Sequence, residues 1–229
     1  MTQQQYEARQ EALQVPTPTP LVVAFAGYAG VGKNTAADAL LHAKPEDVGG
    51  RVFVSIAVAD AIKDALLAVD PWITWNDRST FDECEGNLSL VAAEMGWDDA
   101  HRLPEVRTQL EALGAWGRNI DPHFWAKLAA RRVASAVSAG YSVVVTDVRH
   151  LNELYLLCEL DEWFSLQAFL VERPGVGPVS DDERRATLWF ANETPYGDDA
   201  TGMLDHVLVN DSTPDALKRN VLAALVGVL

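Results

Sequence analysis

The stretch VVAFAGYAGVGKNTAADAL, residues 22–40, sets Gly27, Gly30 and Gly32 in a short loop directly ahead of Lys33, Asn34 and Thr35. This is the spacing G-x-x-x-x-G-K, and the chemistry it suits is the holding of phosphate. Glycines let the backbone curl with its N–H groups turned inward, a following helix offers its positive end, and the lysine reaches the β- and γ-phosphates. Asn34 stands where a serine or threonine usually meets Mg²⁺; its side-chain carbonyl is a hard oxygen donor that can take the same place directly or through water. Thr35 keeps a hydroxyl one residue further on, where it can meet the α-phosphate. An ordinary glycine turn has the same composition. Here, however, an apolar run precedes the loop and helix formers follow it, the context that a phosphate-binding loop requires.

A second apolar run, YSVVVTD (141–147), ends in Asp147. Ligands of α/β sheets bind at the carboxyl ends of strands, so Asp147 is expected to hold Mg²⁺ through water. Arg149, two residues on, is expected on the same edge, where a guanidinium pairs with phosphate through two parallel bonds. These residues are therefore expected to hold a nucleoside triphosphate with Mg²⁺, Asn34 and Asp147 being the metal-side residues.

Elements must position these groups. Leu21–Ala26 is a continuous apolar run, as in a parallel strand covered on both faces. Strands are also predicted over 51–56, 141–147, 164–172 and 206–210. Helices are predicted after the loop, over 58–69, over two segments opened by Pro104 and Pro122, over 151–160, and from Pro214 to about Val228 behind the capping pair Ser212-Thr213. Strand alternating with helix implies an α/β fold. Residues 71–103 break the rhythm with aromatic residues, turn formers and acids, and are expected to be an irregular insertion. Residues 1–20, ending in VPTPTP, are expected to be a loosely attached tail, leaving 21–229 as one domain.

Composition narrows the partners. The 229 residues are 48% hydrophobic with a formal charge of -15, enough for one sizeable core and unsuited to a nucleic acid partner. Cys84 and Cys158 have neither disulfide nor zinc spacing, and no histidine has ligand-like neighbours. No run reaches the length of a membrane helix, and residues 1–14 are polar rather than signal-like. A protein of the cytoplasm, without a membrane or nucleic acid partner, is the expectation.

The blocks GYAGVGKNTAADAL, VADAIKDALLAVDP, LGAWGRNIDPHFWAKLAARR, VVVTDVRHLNE and VLVNDSTPDALKRNV follow one another between residues 21 and 226. Together they resemble the deoxynucleoside monophosphate kinases of bacteriophages. The resemblance implies a three-layer fold of the P-loop NTPase type, with a five-stranded parallel sheet ordered 2-3-1-4-5 and an acceptor-binding or lid insertion. It also implies transfer of the γ-phosphoryl group of ATP to a deoxynucleoside monophosphate, in host cytoplasm if the chain is phage-encoded, and pairing of two chains.

By the same resemblance, Arg118, Asp121 and Trp125 belong to the acceptor side, Asp147, Arg149, Asn152 and Glu153 match a DVRxxNE block, and Asn210 lies near the donor adenine. Glu193, in FANE (190–193), keeps the acid of an HxSE stretch without its histidine and serine. Phosphoryl transfer asks mainly for positioning and positive charge. Among Arg118, Arg131, Arg132, Arg149, Arg173, Arg184 and Arg185, the favoured residues are Arg118, Arg132 and Arg149, with Arg184 and Arg185 assigned to a closing lid or a solvated helix. Asp60 and Lys63, three residues apart on one helix, can meet the acceptor or each other. Trp72, Trp75 and Trp125 are the rings able to stack on a base. Two other readings stay open: a different small-molecule kinase of the same fold, such as one acting on dephospho-coenzyme A, and a nucleotide-binding regulator that has lost catalysis.

Overall fold

Six consecutive apolar residues, Leu21–Ala26, form strand β1, and each is buried. A strand with no polar face must be covered on both sides, which places it at the centre of a sheet. In the computed structural model, which describes residues 18–76, 82–160, 163–178, 184 and 204–229, β1 pairs in parallel with β5 (Ser142–Val148) on one side and β6 (Ser165–Glu172) on the other. β2 (Phe53–Ile56) extends the sheet beyond β5, and β7 (His206–Val209) extends it beyond β6, again in parallel. Counted along the chain, the five strands of this sheet lie in the order 2-3-1-4-5, the order that the resemblance implied.

Contacts divide the chain into two compact units: the sheet unit, which runs through Ile56 and resumes at Arg132, and a second unit, Ala57–Arg131. In the sheet unit, helix α1 (Lys33–Leu41) and helix α8 (Pro214–Ala224) cover one face. Leu21, Val23 and Phe25 of β1 pack there with Ala36 and Leu40 of α1 and with Leu217 and Val221 of α8. On the opposite face Val22, Ala24 and Ala26 are equally buried, and α7 (Leu151–Cys158) packs against β5 and β6, burying Leu154 and Leu157. This gives the helix, sheet, helix layering that the resemblance implied. The buried Ser142 hydroxyl accepts the Leu21 N–H at 3.0 Å and fixes the entrance of β1 beside β5.

The second unit departs from expectation. Residues 71–103 are not an irregular excursion: β3 (Trp72–Asn76) and β4 (Glu83–Asn87) form an antiparallel hairpin, followed by α3 (Leu88–Met95) and α4 (Trp97–Ala100). They join α2 (Asp60–Val69) and α5 (Pro104–Ile120) around a core of their own, in which Leu66, Ile73, Leu88 and Val106 are buried. A segment read as an insertion in one domain is thus part of a longer compact unit. Helix α6 runs Phe124–Ser138 and so starts two residues after Pro122. Among the described residues, no helix is long and apolar enough to cross a membrane.

Candidate functional site

The loop between β1 and α1 owes its shape to glycine. Gly27, Gly30 and Gly32 all have positive φ, at 134°, 79° and 107°. At two of them a side chain would also collide: a Cβ on Gly27 would lie 2.3 Å from the Val171 carbonyl oxygen, and one on Gly32 would lie 2.6 Å from Nδ2 of Asn210. The curl ends in α1, whose N-cap, Gly32, brings no side-chain oxygen to the helix. The first N–H groups of a helix have no partner within it, so this end offers donors and partial positive charge.

Lys33 opens α1 and folds back over the loop. Its Nζ donates to the carbonyls of Gly27 at 2.6 Å and Tyr28 at 2.8 Å, which keeps the ammonium charge at the loop. Asn34 is exposed and Thr35 half-buried on the first turn. The side chain of Asn210, just past β7, donates to the Val31 carbonyl at 2.8 Å, and its backbone N–H donates to Glu172 at 2.7 Å. Asn210 is therefore occupied in bracing the loop. Beside it, a cavity of about 260 Å³ is walled by Tyr28, Val171, Pro174 and Val209, with Arg173 at its margin.

Sheet pairing brings a second group to the same edge. Ala26 is opposite Val148, so Asp147 reaches the carboxyl end of β5 where β1 turns into the loop. Asp147 is half-buried and Arg149 exposed. The N-cap of α7 is His150, so Asp147 is not the residue that caps this helix. Glu153 takes the capping work instead: its Oε2 accepts the N–H groups of Arg149 at 2.7 Å and His150 at 3.0 Å. Burial pushes its carboxyl up to about 7, against the two N–H bonds and the Arg149 charge, which favour ionisation, and with the nearby Asp147 charge, which opposes it. Glu153 thus shapes the turn that carries Arg149. Asn152 is half-buried on the first turn of α7, and Arg132 half-buried on α6.

Arg118, Asp121, Asp60 and Lys63 lie in the second unit. Arg118, in the last turn of α5, is exposed and its guanidinium lies back near Gly114. Asp121 accepts the His123 N–H at 2.8 Å and pairs with Lys127 at 2.6 Å, and the Lys127 bond followed by that of His123 holds its carboxyl below the usual range. Asp60 accepts the Ala57 N–H at 2.8 Å, while Lys63 lies over the Trp97 ring at 4.8 Å, so each has a partner other than its expected neighbour.

Trp125 is corrected outright. It is 4% exposed, its Nε1 donates to the Gly114 carbonyl at 2.9 Å, and its ring fills the notch left by Gly117. As placed, it is packing and not a free face for a base. Trp72, with its ring exposed, donates to Glu85, and Trp75 packs against the core of this unit. Arg131 and Arg184 are exposed; Arg185 and Glu193 lie outside the described residues, as does the FANE stretch. Two groups that sequence reasoning did not find, the Val31 and Val171 carbonyls, are backbone and leave no trace in residue types. The helix-interior pair Gly114 and Gly117 was a usable signal, because interior glycines cost helix stability and so mark a close approach.

No family model matches the chain, and no curated protein matches it. Among solved structures, the APS kinase CysC of Mycobacterium tuberculosis in a cysteine-to-alanine mutant form is similar at 12% identity, covering 91% of this chain and 98% of that one with a TM-score of 0.44. The same enzyme in complex with AMPPNP and APS is similar at 14% identity, with the same coverages and TM-score. Likenesses of this degree assign neither substrate nor activity, and the fold is read from the chain's own strands.

Proposed function

We propose that this protein is an ATP-dependent nucleoside monophosphate kinase that transfers the γ-phosphoryl group to a deoxynucleoside monophosphate. The observation that carries the reading is the curled loop Gly27–Gly32 opening onto the uncapped end of α1 with Lys33 at its mouth. Such a surface gathers N–H donors and positive charge in one place, and a polyphosphate is the ligand that matches it. In a chain of formal charge -15, a cluster of this kind is a local exception built for an anion.

The residues fit Mg²⁺ as a companion of the phosphates. Among the described residues no cluster of three or more His, Cys, Asp or Glu side chains could hold a metal ion, and Mg²⁺ commonly binds through one or two protein oxygens together with substrate phosphates. Asp147 and Asn34 are the oxygens proposed to hold it. When bound, the ion neutralises charge developing on the donor phosphates. The chain's own part is to bind and orient: the loop N–H groups and Lys33 hold the donor, and Arg149, Arg132 and Arg118 supply positive charge. Gly30 gives the loop its hinge and Thr35 a hydroxyl toward the α-phosphate.

The acceptor assignment rests on the resemblance of the GRNIDPHFW and DVRHLNE blocks, with Asp60, Lys63, Asp121, Asn152 and Glu193 as further acceptor-side residues; Glu153 serves by shaping the turn under Arg149. Phosphate on the acceptor is already a competent nucleophile, so no general base is required. A coupled assay of ATP consumption against a panel of deoxynucleoside and nucleoside monophosphates tests the reading. Turnover with a deoxynucleoside monophosphate is expected. Nucleotide binding without turnover on any member of the panel would contradict kinase activity and leave the regulator in its place; turnover confined to other acceptors would contradict the substrate.

A further inference from the structure

Asn210 is tied down from two sides. Its backbone N–H donates to the Glu172 carbonyl at 2.7 Å, which anchors it to the end of β6, and its Nδ2 donates to the Val31 carbonyl at 2.8 Å, inside the glycine loop. In a trans peptide the C=O and the next N–H point in opposite directions, and none of the described peptide bonds is cis. Holding the Val31 oxygen toward β7 therefore turns the Gly32 N–H away from β7. Among the described residues, no backbone acceptor takes that N–H. Gly32 makes the arrangement possible, because a Cβ there would lie 2.6 Å from the same Nδ2 and 3.2 Å from Leu217.

We propose that Asn210 is a positioning residue: it locks the Val31–Gly32 peptide so that the Gly32 N–H is presented to a phosphate oxygen, and it contributes to nucleotide binding through the loop rather than by touching the base. The inference rests on the reading of the loop as a phosphate cradle. Its consequence differs from that of a residue beside the adenine, which is what the resemblance alone implies. A residue acting through the loop acts on any polyphosphate, with or without a base. A residue at the adenine acts on ATP and leaves other polyphosphates alone.

The test is calorimetric titration of the full chain with the magnesium complexes of ATP, GTP and inorganic tripolyphosphate. In Asn210→Asp the shape is kept, but an ionised carboxylate cannot donate and faces the Val31 oxygen. The expected result is that all three ligands weaken by one common factor of about tenfold, the scale of an unmade hydrogen bond inside a site. Lowering the pH until the introduced carboxyl is protonated, and can donate again, narrows the gap to the wild-type protein at that pH. Should Asn210→Asp fail to fold, Asn210→Ser, whose hydroxyl is too short to reach, carries the same comparison.

Loss of ATP affinity with tripolyphosphate affinity intact would overturn the inference in favour of a base contact, and unchanged affinity for all three would overturn it outright. A wild-type protein that binds none of the three would instead remove the phosphate-cradle reading on which the inference stands.

Discussion

The ammonium of Lys33 is bonded to the carbonyl of Gly27, six residues earlier, at 2.6 Å. A second bond to Tyr28 at 2.8 Å makes the lysine both a clasp that holds the loop in its curl and the positive charge that the curl surrounds. These two roles separate experimentally. Lys33→Met removes the charge and leaves two loop carbonyls without that donor at a half-buried position. The expected outcome is loss of phosphoryl transfer by at least about a hundredfold, the scale of removing one electrostatic contact to the transition state, with a melting temperature lower by only a few degrees. Transfer at the wild-type rate would remove Lys33 from the site.

Two glycines three residues apart on α5 should respond in opposite ways to the same substitution. A Cβ on Gly117 would lie 2.4 to 2.8 Å from the buried Trp125 ring, whereas one on Gly114 would meet only the flexible end of Arg118 and Ile62 at 3.4 Å and beyond. Gly117→Ala is expected to destabilise by about 1–3 kcal/mol, because a rigid indole must shift. Gly114→Ala is expected to be neutral or to stabilise by up to about 1 kcal/mol through helix propensity. Thermal melting of the two variants checks this; equal melting temperatures would contradict the packing described for Trp125.

Glu153 makes stability depend on pH. Its folded-state carboxyl is raised from 4.5 to about 7, so between those values the native protein holds a proton that the unfolded chain has released. The contribution of this group is greatest at and below about pH 4.5 and is lost as pH rises to about 7, with a slope of up to about 1.4 kcal/mol per pH unit. Glu153→Gln keeps a side-chain oxygen for the Arg149 and His150 N–H groups and cannot ionise. The stability of the wild-type protein relative to this variant should fall from pH 5 to pH 7 and level off above, as read by chemical denaturation; a difference independent of pH would contradict the enclosed position of the carboxyl.

Much of this was legible in residue types. Leu21–Ala26, a short apolar run with β-branched residues, could be read as a strand buried on both faces, and glycines ahead of a lysine between that strand and a helix could be read as a phosphate loop. The hairpin Trp72–Asn76 with Glu83–Asn87 was not legible, because ECEGN has the composition of a loop and becomes a strand only through pairing, as between Trp75 and Cys84. The position of Asn210 against Val31 was hidden for a related reason: 179 residues separate them, and one partner is a backbone oxygen. Trp125 was misread because its ring type suggests stacking, while the notch that receives it is made by glycines, which contribute no side chain to notice. The sheet order came from family resemblance; no local pattern encodes it.

The central claim is that the amides from Gly27 to Thr35 receive the phosphates of a nucleoside triphosphate. Backbone amide NMR of the isotopically labelled chain, titrated with the magnesium complex of AMPPNP, tests it most directly. Saturable shifts should be largest at Gly30, Gly32, Lys33, Asn34 and Thr35. A titration that leaves these amides unmoved, or that moves chiefly amides elsewhere in the chain, would contradict the account.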